Sequence, residues 1–215
     1  MQLNWKYQYV AIEGNIGAGK TTLCKQLGKD LGSKLILEAF ADNPFLSKFY
    51  ENPERHAFSV ELFFMTDRYK QLQEHLVKTL FHQNIIADFF FIKTLLFAKE
   101  NLKEEEYHLF KNIFNILNAT FPKPELLVYL HRPTEQLMKN IRKRGRSYEQ
   151  QIKEDYLETI QKAYFEYFKI EKEIPILIID VGDMDFIKDK KYYDHLKELI
   201  NRDYKLGMNY VSISR

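Results

Sequence analysis

The residue types and spacing of segment 14–22 are suited to holding phosphate groups. The segment fits the pattern G-x-x-x-x-G-K-[ST] and comprises Gly14, Asn15, Ile16, Gly17, Ala18, Gly19, Lys20, Thr21 and Thr22. Such glycines let backbone N–H groups face phosphate oxygens, and the lysine adds a positive charge near the terminal phosphates. A glycine-rich turn with a chance Lys-Thr pair is the alternative. The apolar run before the loop and the helical pattern after it favour phosphate binding.

Two carboxylates, Glu38 and Asp88, end separate short apolar runs. In a parallel sheet the carboxyl ends of strands line the ligand crevice, so both side chains are expected near the phosphate loop. Asp88 could hold Mg²⁺ together with the Thr21 hydroxyl, commonly through water. Glu38 could take the proton from an attacking hydroxyl group. These residues predict transfer of a phosphoryl group from ATP.

A basic cluster surrounds Gly145 and contains Lys139, Arg142, Lys143, Arg144 and Arg146. Basic clusters also occur in nuclear-import and nucleic-acid-binding segments. This cluster is compact, interrupted by glycine and embedded between predicted helices. We therefore interpret residues 140–150 as a mobile arginine-rich lid that closes on the triphosphate.

The elements that must position these residues alternate between short apolar runs and longer amphipathic segments. Strands are predicted at Tyr9–Glu13, Lys34–Glu38, Asn84–Asp88, Leu126–Leu130 and Pro175–Asp180. Helices are predicted at Lys20–Leu31, Pro53–Leu80, Lys103–Asn118, Pro133–Lys143, Glu149–Lys169 and Lys188–Asn201. This alternation is typical of an α/β fold, here with a five-stranded parallel sheet and helices on both faces.

Composition indicates one domain over residues 1–215. The net charge of +2 gives no global signal for a nucleic-acid or membrane partner, and no apolar run could cross a bilayer. We expect a cytoplasmic protein. The only cysteine, Cys24, falls in a predicted helix, where packing is its expected role, and the histidines show no metal-ligand spacing.

Several segments together resemble the deoxynucleoside kinase family, and the likeness runs from about Tyr9 to Phe186. Besides the phosphate loop, the segments that carry it are 49–54 (Phe-Tyr-Glu-Asn-Pro-Glu), 144–150 (Arg-Gly-Arg-Ser-Tyr-Glu-Gln) and Tyr156-Leu157. The resemblance, closest to bacterial deoxyadenosine, deoxycytidine and deoxyguanosine kinases, implies a P-loop kinase fold. It also implies phosphorylation of the 5′-hydroxyl of a deoxynucleoside by ATP with Mg²⁺, and a homodimer packed through helices.

The resemblance also implies roles for individual residues. Glu38 matches the family's general base, and Arg144 and Arg146 match its lid arginines. Tyr50 and Glu149 match the pair that binds the sugar 3′-hydroxyl, which a phenol and a carboxylate can satisfy by donating and accepting. The remaining matches are Asp88 with the magnesium-associated acid and Arg68 with an arginine beside the base.

The chain departs from the family where an acid-Arg-Ser triplet usually ends the third strand. Here the triplet is Asp88-Phe89-Phe90, so the arginine is missing. Arginines that stabilise phosphoryl transfer contribute roughly 10³ to 10⁵ in rate. We hypothesise that Lys93, one helical turn past Phe89, replaces it; the alternative is a solvated surface lysine. The first lid arginine is likewise replaced by Asn140, with Arg142 as a nearby stand-in.

A second departure is Glu61, seven residues before Arg68, where the family usually carries a base-reading glutamine. An ionised carboxylate only accepts hydrogen bonds, which suits the adjacent donors of guanine. The alternative is that Glu61 pairs with Arg68 two turns along the same helix.

Two rival functions stay open at this stage. A nucleoside-monophosphate kinase would share the phosphate loop, but its acceptor is already a phosphate and calls for extra cations rather than a base such as Glu38. A nucleotide-binding regulatory protein that has lost catalysis is motivated by Phe89. Glu38, Tyr50 and Glu149 favour the deoxynucleoside kinase, since a pure sensor would not require an acceptor site.

Overall fold

A computed structural model describes residues 5–39, 43–76, 84–186 and 188–213. Its strands are β1 (Tyr9–Gly14), β2 (Lys34–Ile36), β3 (Ile85–Ala87), β4 (Leu126–His131), β5 (Pro175–Asp180) and β6 (Gly207–Ser212). Its helices are α1 (Lys20–Leu31), α2 (Leu46–Glu51), α3 (Pro53–His75), α4 (Lys93–Asn101), α5 (Glu104–Asn118), α6 (Thr134–Arg144), α7 (Glu154–Ile170) and α8 (Lys190–Ile200). A short 3₁₀ helix, Ser147–Glu149, lies between α6 and α7.

The six strands form one parallel sheet in the order β2-β3-β1-β4-β5-β6. The α/β prediction is confirmed, with six strands rather than the predicted five. The missed strand, β6, pairs only with β5 among the described strands and mixes polar Asn209 and Ser212 with exposed Met208 and Tyr210. An edge strand with this composition lacks the continuous apolar run that marks the buried strands.

Helices cover both faces of the sheet because alternate strand residues point to opposite sides. Tyr9 and Ala11 of β1 join a core built with α3, α4, α5 and α7. Val10 and Ile12 join a second core built mainly with α1, α6 and α8. The central strands are therefore buried on both sides, which explains why they are largely apolar and rich in Val, Ile and Leu.

Local signals set several helix boundaries. Pro53 occupies the first turn of α3, and the Asn52 side chain caps that helix by accepting from Arg55 N at 3.3 Å. Gly32 and Gly145 end α1 and α6 with positive φ angles of 64° and 71°. The positions of glycine and proline in the sequence thus correctly predict these helix boundaries.

Other predicted boundaries need correction. The single helix predicted over Glu149–Lys169 is divided into the 3₁₀ helix and α7. The predicted helix Pro53–Leu80 is observed as far as His75, and its residues 77–80 lie outside the described part of the chain. Helices α2 and α4 were not predicted; α4 directly follows the apolar residues 89–92, whose pattern hides the start of a helix.

In the sheet, β1 lies between β3 and β4. The chain first forms β2 and β3 on one side of β1 and then β4, β5 and β6 on the other side. Such a switch in direction opens a crevice at the carboxyl ends of the strands. The segments after β1, β2 and β3 carry the phosphate loop, Glu38 and Asp88 respectively. None of the described helices is long and apolar enough to cross a membrane.

Candidate active site

The predicted phosphate loop connects β1 to α1, as the sequence pattern requires. Gly17 has φ of 84°, and a Cβ added there would lie 2.9 Å from the Leu137 carbonyl oxygen, so only glycine fits. Lys20 Nζ donates to the carbonyl oxygens of Gly14 and Asn15 at 2.8 and 3.0 Å. Burial, followed by the like charge of Lys93, lowers the pKa of Lys20 to about 8. The loop therefore holds a lysine whose charge an anion would stabilise.

Asp88 and Thr21 lie together at the mouth of this loop. The Thr21 hydroxyl hydrogen-bonds to Asp88 Oδ2, and Asp88 Oδ1 accepts from the backbone N–H of Glu38 at 2.7 Å. Hydroxyl and carboxylate oxygens are the ligand types that Mg²⁺ prefers, so this pair fits the ion. The described residues contain no cluster of three or more His, Cys, Asp or Glu side chains able to hold a metal.

Glu38 forms ion pairs with two cations, one at each carboxylate oxygen. Arg68 Nε and Nη2 lie 2.7 and 2.6 Å from Oε1, and Lys93 Nζ lies 2.6 Å from Oε2. Burial on its own would raise the pKa of Glu38, but the charges of Lys93 and Arg68 outweigh it and hold the pKa well below its usual range. Glu38 is therefore ionised throughout the working pH range.

Lys93 is buried, with 5% of its surface exposed, and is the first residue of α4. The alternative of a solvated surface lysine is therefore wrong. Phe89, at the position of the missing arginine, is fully buried in the core. The turn between β3 and α4 is secured by Glu13, whose Oε1 accepts from the Phe90 backbone N–H at 2.7 Å and whose Oε2 accepts from the Tyr164 hydroxyl at 2.8 Å.

Glu61 does not pair with Arg68, so that alternative is also wrong. The Arg68 guanidinium turns to Glu38 and, through Nη1, to Thr94 Oγ1 at 2.9 Å. Glu61 Oε1 instead accepts from Asn101 Nδ2 at 2.7 Å, and Oε2 has no hydrogen-bond partner among the described residues. Burial raises the pKa of Glu61 to about 7, although Asn101, Arg68 and Lys93 oppose the rise.

One cavity brings most of the predicted residues together. Its lining includes Lys20, Thr21, Glu38, Tyr50, Glu61, Arg68, Lys93, Arg144, Arg146 and Glu149. Aromatic and aliphatic side chains complete its wall, namely Leu46, Phe49, Val60, Phe64, Phe97, Tyr148 and Tyr156. A flat heterocycle could pack against the apolar wall while its polar edge meets Glu61.

The basic cluster around Gly145 contributes two arginines to the cavity, and both form ion pairs with the Glu149 carboxylate. Arg144 Nη2 lies 2.5 Å from Glu149 Oε2, and Arg146 Nη1 lies 3.2 Å from Oε1. Asn140 donates to the Gly17 carbonyl oxygen at 2.9 Å and so supports the phosphate loop, whereas Arg142 is exposed and does not line the cavity. Arg142 is therefore a poor stand-in for the missing first lid arginine.

A second cavity opens on the other side of the phosphate loop. It is lined by Gly17–Gly19, the polar face of α6 and residues 183–186, and Arg144 borders both cavities. The buried Arg132 organises this region by donating to Ala18 O, Gly182 O and Met184 O at 3.1, 2.7 and 2.8 Å. The segment after β5 thus borders the phosphate loop.

Sequence reasoning missed three residues that shape the site. Glu13 had a usable signal, since it is a charged residue within an apolar strand next to the glycine loop. Arg132 and Asn101 had none, because their partners lie far away in sequence. Cys24, predicted to pack, is fully buried, and its burial raises the pKa of the thiol well above the usual range.

Comparison with known proteins agrees with this geometry. The sequence model of the family described as deoxynucleoside kinase matches residues 10–204. The deoxyguanosine kinase of Bacillus subtilis is 36% identical over 203 residues, covering 89% of this chain and 97% of its own. The deoxyadenosine/deoxycytidine kinase of the same organism is 28% identical over 205 residues, covering 91% and 92%.

A solved structure shares the fold as well. The deoxyadenosine kinase from M. mycoides with bound dATP superposes with a TM-score of 0.76 at 27% identity, covering 90% of this chain and 98% of that chain. Strand β6 falls beyond the residues that the family model matches. The match over most of the chain, together with the phosphate loop and the cavity lined by Lys20, Glu38 and Glu61, shows that this chain belongs to the deoxynucleoside kinase family.

Proposed function

We propose that this kinase transfers the γ-phosphate of ATP to the 5′-hydroxyl of a deoxynucleoside with Glu38 as the general base, and that it prefers deoxyguanosine. Membership of the family makes the protein an ATP-dependent deoxynucleoside kinase. The observation that carries the proposed mechanism is the Glu38 carboxylate, held by Lys93 and Arg68 in the same cavity as Lys20.

The catalytic roles follow from charge and position. An ionised Glu38 can accept the hydrogen of the 5′-hydroxyl and align its oxygen for attack. Lys93 takes the place of the family arginine by steadying Glu38 and adding positive charge beside Lys20. Arg144 and Arg146 would leave Glu149 in part to meet the triphosphate, because charge on the transferred phosphoryl oxygens attracts guanidinium groups.

Mg²⁺ is proposed to bind beside Thr21 and Asp88 with the phosphates. Its chemistry there would be to neutralise charge on the β and γ phosphates. The hydrogen bond between the Thr21 hydroxyl and Asp88 supports this assignment, since it places two oxygen ligands on one side of the phosphate loop.

The nucleoside is proposed to lie along the cavity lined by Lys20, Glu38 and Glu61, which we call the acceptor cavity. Tyr50 and Glu149 both line it, which supports their assignment to the sugar 3′-hydroxyl, and Arg68 bridges Glu38 to the region of the base. Glu61 Oε2, which is buried and has no hydrogen-bond partner in the described part of the chain, can accept from guanine N1–H or N2–H₂. The identity of 36% with a deoxyguanosine kinase also supports guanine.

Neither rival function gains support. A nucleoside-monophosphate kinase needs cations for a second phosphate, but the cations beside Glu38 are already paired with that carboxylate. The missing arginine at Phe89 suggested a regulatory protein without catalysis. The buried Lys93 argues against this function, because it supplies a cation next to the general base Glu38.

The decisive experiment is a phosphoryl-transfer panel with Mg-ATP, the four deoxynucleosides and their 5′-monophosphates. We expect the highest kcat/KM with deoxyguanosine and no comparable transfer to monophosphates. A strong preference for deoxycytidine or deoxythymidine would overturn the guanine assignment. Binding of ATP without transfer to any deoxynucleoside would overturn the catalytic one.

The proposal extends to assembly and location. We propose a single-domain, cytoplasmic homodimer packed through helices, with no nucleic-acid partner. Leu109 and Ile116, seven residues apart on α5, are 55% and 72% exposed, which supports a helical contact with a second copy. Light scattering after gel filtration should give twice the monomer mass, and a monomeric mass would reject the dimer.

A further inference from the structure

Asn101, the last residue of α4, connects two side chains of the acceptor cavity that come from different helices. Its Nδ2 donates to Glu61 Oε1 on α3 at 2.7 Å and to the Tyr156 hydroxyl on α7 at 3.2 Å. A carboxylate oxygen can only accept, so the amide nitrogen must face Glu61. Asn101 itself does not line the cavity, and any effect on a ligand must pass through its partners.

The contact determines which carboxyl oxygen of Glu61 is available to a ligand. Oε1 is engaged by Asn101, whereas Oε2 is buried without a hydrogen-bond partner among the described residues, in a side chain that lines the cavity. Leaving a buried polar atom without a hydrogen-bond partner is unfavourable for the folded protein. A single oxygen kept for a ligand is the arrangement of a recognition site, with its partner supplied by the base of the substrate.

Asn101 also affects the charge of Glu61. Burial raises the pKa of this carboxyl to about 7, and the hydrogen bond from Asn101 is the foremost influence that lowers it. Other charged or titratable groups act on Glu61 from α2, α3, α4, α7 and the end of β2, namely Tyr50, Arg68, Lys93, Tyr156 and Glu38. Glu61 is therefore balanced between two protonation states near neutral pH, and Asn101 favours the ionised one.

The two states read different bases. Above about pH 7 the ionised Oε2 only accepts, which suits the N1–H of guanine. Below that pH the protonated carboxyl can also donate, which suits the N1 acceptor of adenine. The ratio of guanine to adenine selectivity should therefore fall as the pH is lowered through about 7.

Resting on the proposed function, we propose that Asn101 is the positioning residue that sets base selectivity: it holds Glu61 Oε1 and leaves Oε2 to accept from guanine. Asn101 contributes no direct contact to the base. Its effect on base selectivity passes through Glu61, although its amide also donates to Tyr156.

The first test measures kcat/KM for deoxyguanosine and deoxyadenosine between about pH 6 and 8. In Asn101→Leu the lost donor should raise the midpoint of the selectivity change and lower the guanine-to-adenine ratio at pH 7 about tenfold. Asn115→Leu makes the same substitution at an exposed position of α5 and should match the wild type. An Asn101→Leu enzyme with the wild-type ratio and midpoint would overturn the inference.

The second test asks whether Asn101 acts through Glu61. In Glu61→Ala the ratio should no longer depend on pH over this range, and adding Asn101→Leu should change the ratio no further, because no acceptor is left at position 61. An equal loss of selectivity on both backgrounds would contradict the inference. Asn101→Asp, which keeps the side-chain shape but removes the donor, should move the midpoint upward even further, and it replaces the leucine variant if that variant does not fold.

These outcomes separate the inference from the proposed function. A wild-type enzyme that prefers deoxyguanosine while ignoring every Asn101 substitution rejects the role of Asn101 alone. A wild-type enzyme that favours deoxycytidine or deoxythymidine at all pH values, or that phosphorylates no deoxynucleoside, rejects the proposed function and the role of Asn101 together.

Discussion

The phosphate loop and the acceptor cavity meet at Lys20, yet they are built in different ways. The loop consists of backbone groups from nine consecutive residues, shaped by glycines at 14, 17 and 19. The cavity consists of side chains from at least five separate segments, with Glu38, Glu61 and Lys93 contributed by three of them. A site built from one stretch of backbone tolerates little change, whereas a site built from dispersed side chains can exchange one cation for another.

Glu38→Gln should produce the largest effect and should fall on the acceptor side. The amide cannot take the proton of the 5′-hydroxyl, and Lys93 and Arg68 lose a charged partner. General-base catalysis contributes about 10² to 10⁴ in rate, so kcat should fall by that factor. Steady-state kinetics and ATP titration would show this loss together with nearly unchanged ATP affinity. Unaltered kcat would reject Glu38 as the base.

Lys93→Ala tests whether the dispersed cavity has replaced an arginine by a lysine. We expect kcat/KM to fall about 10²-fold or more, because a cation beside the transferred phosphate is lost. The pKa of Glu38 should rise, since Lys93 is the foremost charge that lowers it, and an acid limb should appear in the pH-rate profile.

The exposed Lys99 on the same helix is the matched control for that substitution, because its ion pair with Glu166 is solvent-exposed. Lys99→Ala should retain wild-type kinetics. Equal rates for the two alanine variants would show that Lys93 is dispensable.

Gly17→Ala tests the backbone-built region. The added methyl group meets the Leu137 carbonyl oxygen at 2.9 Å at a position with φ of 84°, so the loop must distort. We expect ATP to bind at least tenfold more weakly and the melting temperature to fall. Gly32→Ala, with φ of 64° and open space around the new methyl, should cost only about 1–2 kcal/mol of stability and leave ATP binding intact.

The smallest effect concerns pH and the donor side. Because the pKa of Lys20 is lowered to about 8, the lysine loses its charge in the free protein as the pH rises through that value. ATP affinity, measured by calorimetry, should therefore decline several-fold between about pH 7.5 and 9. Lys93→Ala removes the like charge that lowers this pKa and should move the decline to higher pH. A flat profile would remove Lys20 from this role.

The same contrast explains what the sequence could predict. The phosphate loop, the strand-end acids and the α/β architecture were all predictable, because each depends on a local pattern of apolar runs and glycines. Lys93 was hypothesised from the sequence to replace the missing arginine, but its direct pairing with Glu38 was not predicted. Its geometry depends on how α4 docks against the end of β2, which no local pattern records.

Contacts between distant segments account for the errors. Glu61 lies two helical turns from Arg68, and the spacing suggested a pair, but Arg68 finds a stronger partner in Glu38 thirty residues earlier in the chain. Asn101 could not be singled out because its partners, Glu61 and Tyr156, are 40 and 55 residues away. Strand β6 was missed because edge strands need not be apolar on both faces.

The burial of Phe89 limits which side chains this position can accept. A side chain at this position now fills the core, so returning an arginine there would bury a guanidinium among apolar groups instead of restoring the family's triplet. Lys93 would still pair with Glu38, so the introduced arginine would not be needed to hold that carboxylate. A single Phe89→Arg substitution should therefore destabilise the core without improving catalysis.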